Sequence, residues 1–144
     1  MSRYVVDASV AAKWFLTAPD EGSVAEAVGL LQSFAKAETQ LLVPDLFFSE
    51  VTSLMWKAER RGRCQKALAE AALDRILALG LEISPTTPLL KSAVRIARDC
   101  GCALYDGLYL ALTAREKAPF ITADQRLVRV VAGRLPVVWL GALL

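Results

Sequence analysis

Along the chain, short apolar runs alternate with longer stretches whose apolar residues recur every three or four positions. The runs are Tyr4-Val5-Val6, Leu41-Leu42-Val43, Leu81-Glu82-Ile83, Pro119-Phe-Ile-Thr122 and Pro136-Val-Val-Trp-Leu140. They are too short for helices and rich in β-branched residues, so they read as buried strands. Between them the pattern predicts helices: Ala11 to Leu16, then one with Val24, Val28, Leu31 and Phe34 or Ala35 on its apolar face. A turn, Thr17-Ala-Pro-Asp-Glu-Gly22, separates these two. After Pro44, Asp45 reads as the cap of a helix with Phe47, Val51, Leu54, Met55 and Ala58 inward, broken by Gly62. Further helices are expected from about Cys64 to Leu79, from Thr86-Thr87-Pro88 to about Cys100 before Gly101, and from Tyr105 to Lys117. A last one ends at Val131, with Thr122 and Gln125 at capping-box spacing.

Strands alternating with helices imply an α/β fold, a mainly parallel central sheet of about five strands with helices on both faces and right-handed crossovers. The runs are almost continuously apolar, as strands covered on both faces require. At 144 residues the chain reads as one domain, 1–144, able to bury roughly 70% of its unfolded surface. No repeat, low-complexity segment or linker interrupts it.

Composition narrows the chemistry. There is no histidine, which removes Ser-His-Asp and Cys-His catalysis and histidine-ligated zinc together. Three cysteines, Cys64, Cys100 and Cys102, form no CxxC pair, which suits reduced packing thiols in the cytoplasm. No uncharged apolar window reaches the roughly 18 residues of a membrane span, and Met1-Ser-Arg leads into a strand rather than a signal peptide. A net charge of +2 does not by itself announce a nucleic-acid partner. The apolar fraction of 55% is high, and either a rich core or a partner-facing surface accounts for it.

Four acids stand where a plain core would not put them. Asp7 follows the first buried strand directly. Glu50 lies in the Asp45 helix with Leu46 and Leu54 four residues to either side, so it turns partly toward apolar surroundings and calls for a nearby cation. Asp106 opens the Tyr105 helix, where a simple cap would also explain it. Asp124 follows the fourth strand; with Thr122 at the capping spacing, it is not needed as the cap and is left to face a cleft. Ligands of open parallel sheets bind beyond the carboxyl ends of the strands, and this topology delivers all four acids to that edge. Converging carboxylates repel one another unless neutralised, and without histidine the fitting species is a hard divalent cation, Mg²⁺ or Mn²⁺.

The sequences Val6-Asp7-Ala-Ser9, Ser49-Glu50-Val51, Tyr105-Asp106-Gly-Leu-Tyr109-Leu-Ala111 and Thr122-Ala-Asp124 resemble, in order and spacing, the PIN-domain ribonucleases. More narrowly, length and motifs are similar to the VapC-type toxins of bacterial and archaeal toxin–antitoxin pairs. The resemblance spans essentially the whole chain. It implies that Asp7, Glu50, Asp106 and Asp124 hold Mg²⁺, with Mn²⁺ as a substitute, and that the chain cleaves RNA endonucleolytically. Ser9 and Thr122 match hydroxyl positions that support the acids. It further implies a homodimer in the cytoplasm and a small antitoxin whose C-terminal segment lies across the cleft.

Other features remain open at this level. Lys57, Arg60, Arg61, Arg63 and Lys66 crowd a helix–helix turn, either as a phosphate-tracking surface or as a solvated turn; Arg95, Arg98, Arg126 and Arg129 form a second group. Lys13 and Trp14 either frame the cleft or, for Trp14, pack in the core. Two rival readings, one an enzyme and one a signalling domain, fit poorly. A haloacid-dehalogenase-like phosphatase needs Asp-x-Asp where this chain has Asp7-Ala-Ser9, and a lysine after the fourth strand; a receiver-like domain needs an acid pair and a lysine after the last strand. The remaining alternative is a catalytically inactive PIN-like module that binds RNA or a partner.

Overall fold

Five parallel strands form one sheet in the order β3-β2-β1-β4-β5, flanked among the described residues by seven α-helices. The computed structural model describes residues 1–15 and 22–143. Most of the turn expected at Thr17–Gly22 therefore lies outside the described residues. The strands are β1 (Ser2–Val6), β2 (Thr39–Pro44), β3 (Glu82–Ser84), β4 (Phe120–Thr122) and β5 (Val137–Trp139). The helices are α1 (Ala8–Phe15), α2 (Val24–Ala35), α3 (Leu46–Arg60), α4 (Lys66–Leu77), α5 (Leu90–Cys100), α6 (Leu104–Glu116) and α7 (Gln125–Val131). The α/β architecture agrees with the strand–helix alternation, and among the described residues no helix is long and apolar enough to cross a membrane.

Val5, Val6, Leu41, Leu42, Val43, Phe120 and Ile121 lie fully buried in the three central strands. Each such side chain contributes on the order of 1.5–3 kcal/mol through removal from water, so the sheet centre is the most firmly fixed part of the molecule. α6 crosses this centre, touching β1, β2 and β4, and is buried at every position from Gly107 to Thr113. That explains why its sequence shows little amphipathic pattern: a helix covered all round has no polar face. α5 packs on α6 at close range. A Cβ at Gly107 would stand 2.5 Å from the Ala93 carbonyl oxygen, so only glycine fits that crossing. Gly101, with φ near 70°, ends α5 in the left-handed conformation, as its place in the pattern predicts.

Several expectations shift in detail. α1 begins at Ala8, three residues before the expected Ala11, because the Asp7 carbonyl already accepts from Val10 and Ala11. Pro44 is the last residue of β2, and Asp45 continues the pairing by donating to the Ser84 carbonyl. Asp45 stands at the start of α3 but its side chain makes no cap bond. Trp14 belongs to the core: it is 8% exposed, and its indole N–H donates to the Ala27 carbonyl at 2.8 Å.

The strand order reverses between β1 and β4. β1 pairs with β2 on one side and β4 on the other, which places the crevice of a parallel sheet just beyond Val6 and Thr122. A cavity of about 530 Å³ exists elsewhere, at the opposite edge, lined by Ser2, Tyr4, Gly29, Leu30, Thr39 and Leu143. The acids therefore line an open edge, away from that cavity.

Candidate active site

Asp7 is the residue on which the edge converges. Its backbone N–H extends the β1–β4 ladder to the Ile121 carbonyl at 3.0 Å, while its carbonyl starts α1. The backbone is thus fixed from both sides, and the side chain leaves the sheet at the switch point. Its Oδ2 accepts from the Ser9 and Thr122 hydroxyls, both at 2.8 Å. Burial pushes the carboxyl pKa up, and the bonds from Thr122, Ser9 and the backbone of Ala8 and Ser9 hold it back.

Glu50 comes from the second turn of α3, whose N-terminus lies at the end of β2. It is half-buried, as its leucine neighbours implied, and a hydroxyl from another helix bonds it. The Tyr109 hydroxyl donates to Glu50 Oε1 at 2.6 Å. Burial raises the Glu50 pKa, this bond lowers it, and the charges of Asp7 and Asp106 raise it again. A hydroxyl satisfies a carboxylate without neutralising it, so the repulsion remains.

Asp106 is the third residue of α6, and the Ala103 backbone N–H bonds back to it. Burial, followed by the charges of Asp7 and Asp124, pushes its pKa up to about 6, against the pull of Arg126. Arg126, one of the second basic group, is thereby a cation that this cluster feels. Cys102 also lies within range: burial and then the Asp106 charge push its thiol up.

Asp124 corrects the capping expectation. Its Oδ1 accepts from the Leu127 N–H at 3.2 Å, so Asp124 itself caps α7. Thr122 is the last residue of β4; its hydroxyl donates to Asp7 and accepts from the Asp124 N–H at 3.1 Å. Sequence spacing could not tell which of two residues two positions apart takes the cap, because the choice depends on Asp7 claiming the threonine. Asp124 is exposed and still close enough to raise Asp106.

All four acids thus reach one edge, where Asp7 and Asp106 bear on Glu50, and Asp7 and Asp124 on Asp106. Ser9 and Thr122 meet there as well. Among the described residues, no three of His, Cys, Asp or Glu converge closely enough to hold an ion as they stand. The donor set nonetheless fits a hard divalent cation in kind: carboxylate oxygens, no imidazole, and three carboxyl groups whose anionic forms are disfavoured by burial, and at Glu50 and Asp106 by neighbouring charges as well.

The basic run lies at the far end of α3. Lys57 and Arg60 are in its last turn, Arg61 caps it and Arg63 follows in the turn; all are exposed. The Arg60 guanidinium sits 5.7 Å above the exposed Trp56 ring. Sequence reading assigned no role to Tyr109, although the Asp106-x-x-Tyr109 spacing places both on neighbouring positions of one helix. That spacing was the available signal.

Comparison with known proteins agrees with this fold. Ribonuclease VapC3 of Pyrobaculum aerophilum is 28% identical over 127 residues, covering 87% of this chain and 92% of that protein. The crystal structure of PAE2754 from the same organism superposes with a TM-score of 0.70 at 24% identity, over 94% of this chain and 83% of the other. A toxin–antitoxin complex from Klebsiella pneumoniae matches with a TM-score of 0.60 at 18% identity, over 94% and 95%. At such identities these structures speak for the fold. The family described as PIN domain matches residues 4–133, nearly the whole length, and the chain belongs to it.

Proposed function

We propose that this chain is a metal-dependent endoribonuclease, the toxin of a toxin–antitoxin pair. The observation that carries this reading is the gathering of Asp7, Glu50, Asp106 and Asp124 at the switch point of a PIN domain sheet. The name of the VapC3 relative supports ribonuclease activity, and the Klebsiella complex supports an antitoxin partner.

In this reading the four carboxylates hold Mg²⁺, or Mn²⁺ in its place. When bound, such an ion polarises a phosphate oxygen and lowers the pKa of water. The chain's own residues supply placement. Ser9 and Thr122 fix Asp7 by taking both hydrogen-bond directions at Oδ2, so the acid offers its remaining oxygen in one orientation. Arg126 offsets part of the Asp106 charge. Lys57, Arg60, Arg61 and Arg63 bind the RNA backbone outside the cleavage point, since phosphate contacts position a nucleic acid without reading its sequence. The protein works in the cytoplasm as a homodimer, and the antitoxin covers the acid edge.

The test is incubation of the purified chain with a structured RNA pool and Mg²⁺ or Mn²⁺, alongside EDTA and Asp106→Asn controls. Cleavage requiring both the ion and Asp106 is the expected result. Binding of RNA and metal with no cleavage would instead identify an inactive binding module.

A further inference from the structure

Glu50 has a reach problem. It stands on α3 with three rotatable side-chain bonds, half-buried beside Asp7 and Asp106, both of which repel it. Nothing on its own helix holds it: the flanking Leu46 and Leu54 offer no donor. Ordering such a side chain costs rotamer freedom. The group that does hold it arrives from another helix and is itself immobile. Tyr109 is 1% exposed, and its ring stacks on Phe120 of β4 with centroids 5.3 Å apart and planes at 24°. Its hydroxyl meets Glu50 Oε1 at 2.6 Å, a short bond to a carboxylate of the stronger kind.

We propose that Tyr109 is a positioning residue that fixes the Glu50 carboxylate beside Asp7 and Asp106, with the sheet as its anchor. One helix then does two jobs. α6 presents Asp106 in its first turn and, one turn on, the hydroxyl that aims the acid of α3. The ring is held in place by its burial and by Phe120 stacked on one face. Glu50 is thereby tied to β4, which also carries Thr122, the donor to Asp7. Two acids, one at the end of β1 and one on α3, thus take their orientation from one strand. The alternative, that the hydroxyl only finds a partner for its own buried oxygen, makes different predictions.

This inference rests on the metal reading proposed above, and the experiment separates the two. MnCl₂ is titrated calorimetrically into the full chain, its Tyr109→Phe, Glu50→Gln and Glu50→Asp variants, and the Tyr109→Phe/Glu50→Gln double variant. Residues that orient a ligand typically contribute 10–100-fold to metal affinity. Tyr109→Phe, with unchanged circular dichroism, is expected to weaken Mn²⁺ about 10-fold and to lower kcat with RNA KM unchanged. Glu50→Asp, one methylene too short to reach the hydroxyl, should show a similar loss even if Tyr109→Phe folds poorly. The double variant should bind no more weakly than Glu50→Gln alone, since the tyrosine acts only through that carboxylate. Wild-type affinity in Tyr109→Phe, or losses that add in full, would overturn the positioning role while leaving the metal site intact. Absence of Mn²⁺ binding by the unmodified chain would overturn the metal reading and this role with it.

Discussion

Thr122, at the end of β4, donates its hydroxyl to Oδ2 of Asp7, at the end of β1, across 2.8 Å. The same threonine oxygen accepts from the Asp124 N–H at 3.1 Å, and Ser9 repeats the pattern by donating to Asp7 and accepting from the Ala123 N–H at 3.2 Å. Each hydroxyl relays a backbone N–H of the β4–α7 turn to one carboxylate oxygen. The two strands that flank the switch point are thus tied through their ends as well as through their ladder.

A valine at position 122 keeps the shape and loses both bonds. Hydrogen bonds to a charged group contribute roughly 1.5–3 kcal/mol, and the Asp7 carboxylate would stay buried with one donor fewer. Thr122→Val is expected to lower stability by about 1–3 kcal/mol in urea titrations at pH 7, while Thr122→Ser retains most of it. Equal midpoints for the valine and serine variants would show that the hydroxyl holds nothing.

Asp106 is held where its charge is unwelcome, so removing the charge should strengthen the metal-free fold. Asp106→Asn is expected to melt above the unmodified chain in EDTA at pH 7.5, and to lose cleavage. A lower melting temperature would mean that the bond from Ala103 and the pull of Arg126 outweigh burial and the neighbouring acids. Stability and the acid cluster are set against each other, as is common at functional sites.

The pH dependence follows with a definite sign. Asp106 titrates near 6 in the folded chain against an ordinary value of 3.8. Below the lower value the group is protonated in both states. Between the two the folded chain keeps a proton that the unfolded chain has released, so the stability this group contributes falls as pH rises through about 6. Asp7 and Glu50 shift in the same direction. In EDTA, the stability gap between Asp106→Asn and the unmodified chain should be small near pH 4, widen through 6 and then level off. A gap independent of pH would sink the assignment. Millimolar Mn²⁺ at pH 7.5 should close it, because a cation bound only by the folded state offsets the same repulsion.

These contrasts mark what a sequence can carry. The strand ends were legible, since a buried apolar run seldom stops on an acid for the sake of packing, and Asp7 lies where that reasoning put it. Asp106 was legible as a helix-start acid, because its placement depends on local chain geometry. Glu50 was only half legible: flanking leucines announced burial, but the hydroxyl that bonds it sits 59 residues away. The cap of α7 passed from Thr122 to Asp124 for a similar reason, since the threonine is claimed by Asp7 across 115 residues. Local spacing proposes which residues are present; long-range competition decides what each one bonds.

Gly107 tests how closely the site depends on the helix crossing behind it. Alanine would favour an exposed helix by about 1 kcal/mol, yet here its Cβ would stand 2.5 Å from the Ala93 carbonyl oxygen, a backbone atom that cannot rotate away. Overpacking of this kind costs about 1–3 kcal/mol, so the clash should win. Gly107→Ala is expected to shift the urea midpoint downward and, by displacing the neighbouring Asp106, to weaken Mn²⁺ binding. An unchanged midpoint would mean that α5 moves aside freely.

The exposed end of α3 gives the last expectation. Lys57 follows Glu50 by seven residues, two turns along the same helix face, and Arg61 follows four later. At 1.5 Å per residue they stand about 10 and 16 Å from the acid, distances that a few nucleotides of backbone cover. If this stripe carries RNA, removing either charge weakens binding for any sequence and lowers its salt dependence. Single-stranded phosphate contacts contribute about 0.7 each to the slope of log K against log salt. Binding of single-stranded RNA to Asp106→Asn should therefore lose about 0.7 of slope with Lys57→Ala and again with Arg61→Ala. Arg75→Ala, in the last turn of α4, serves as the control for net charge alone. If all three variants changed affinity and slope alike, the chain's overall charge would be responsible and the α3 stripe would have no special part. A loss confined to Lys57 and Arg61 would trace the RNA along one helix, from its basic end toward Glu50.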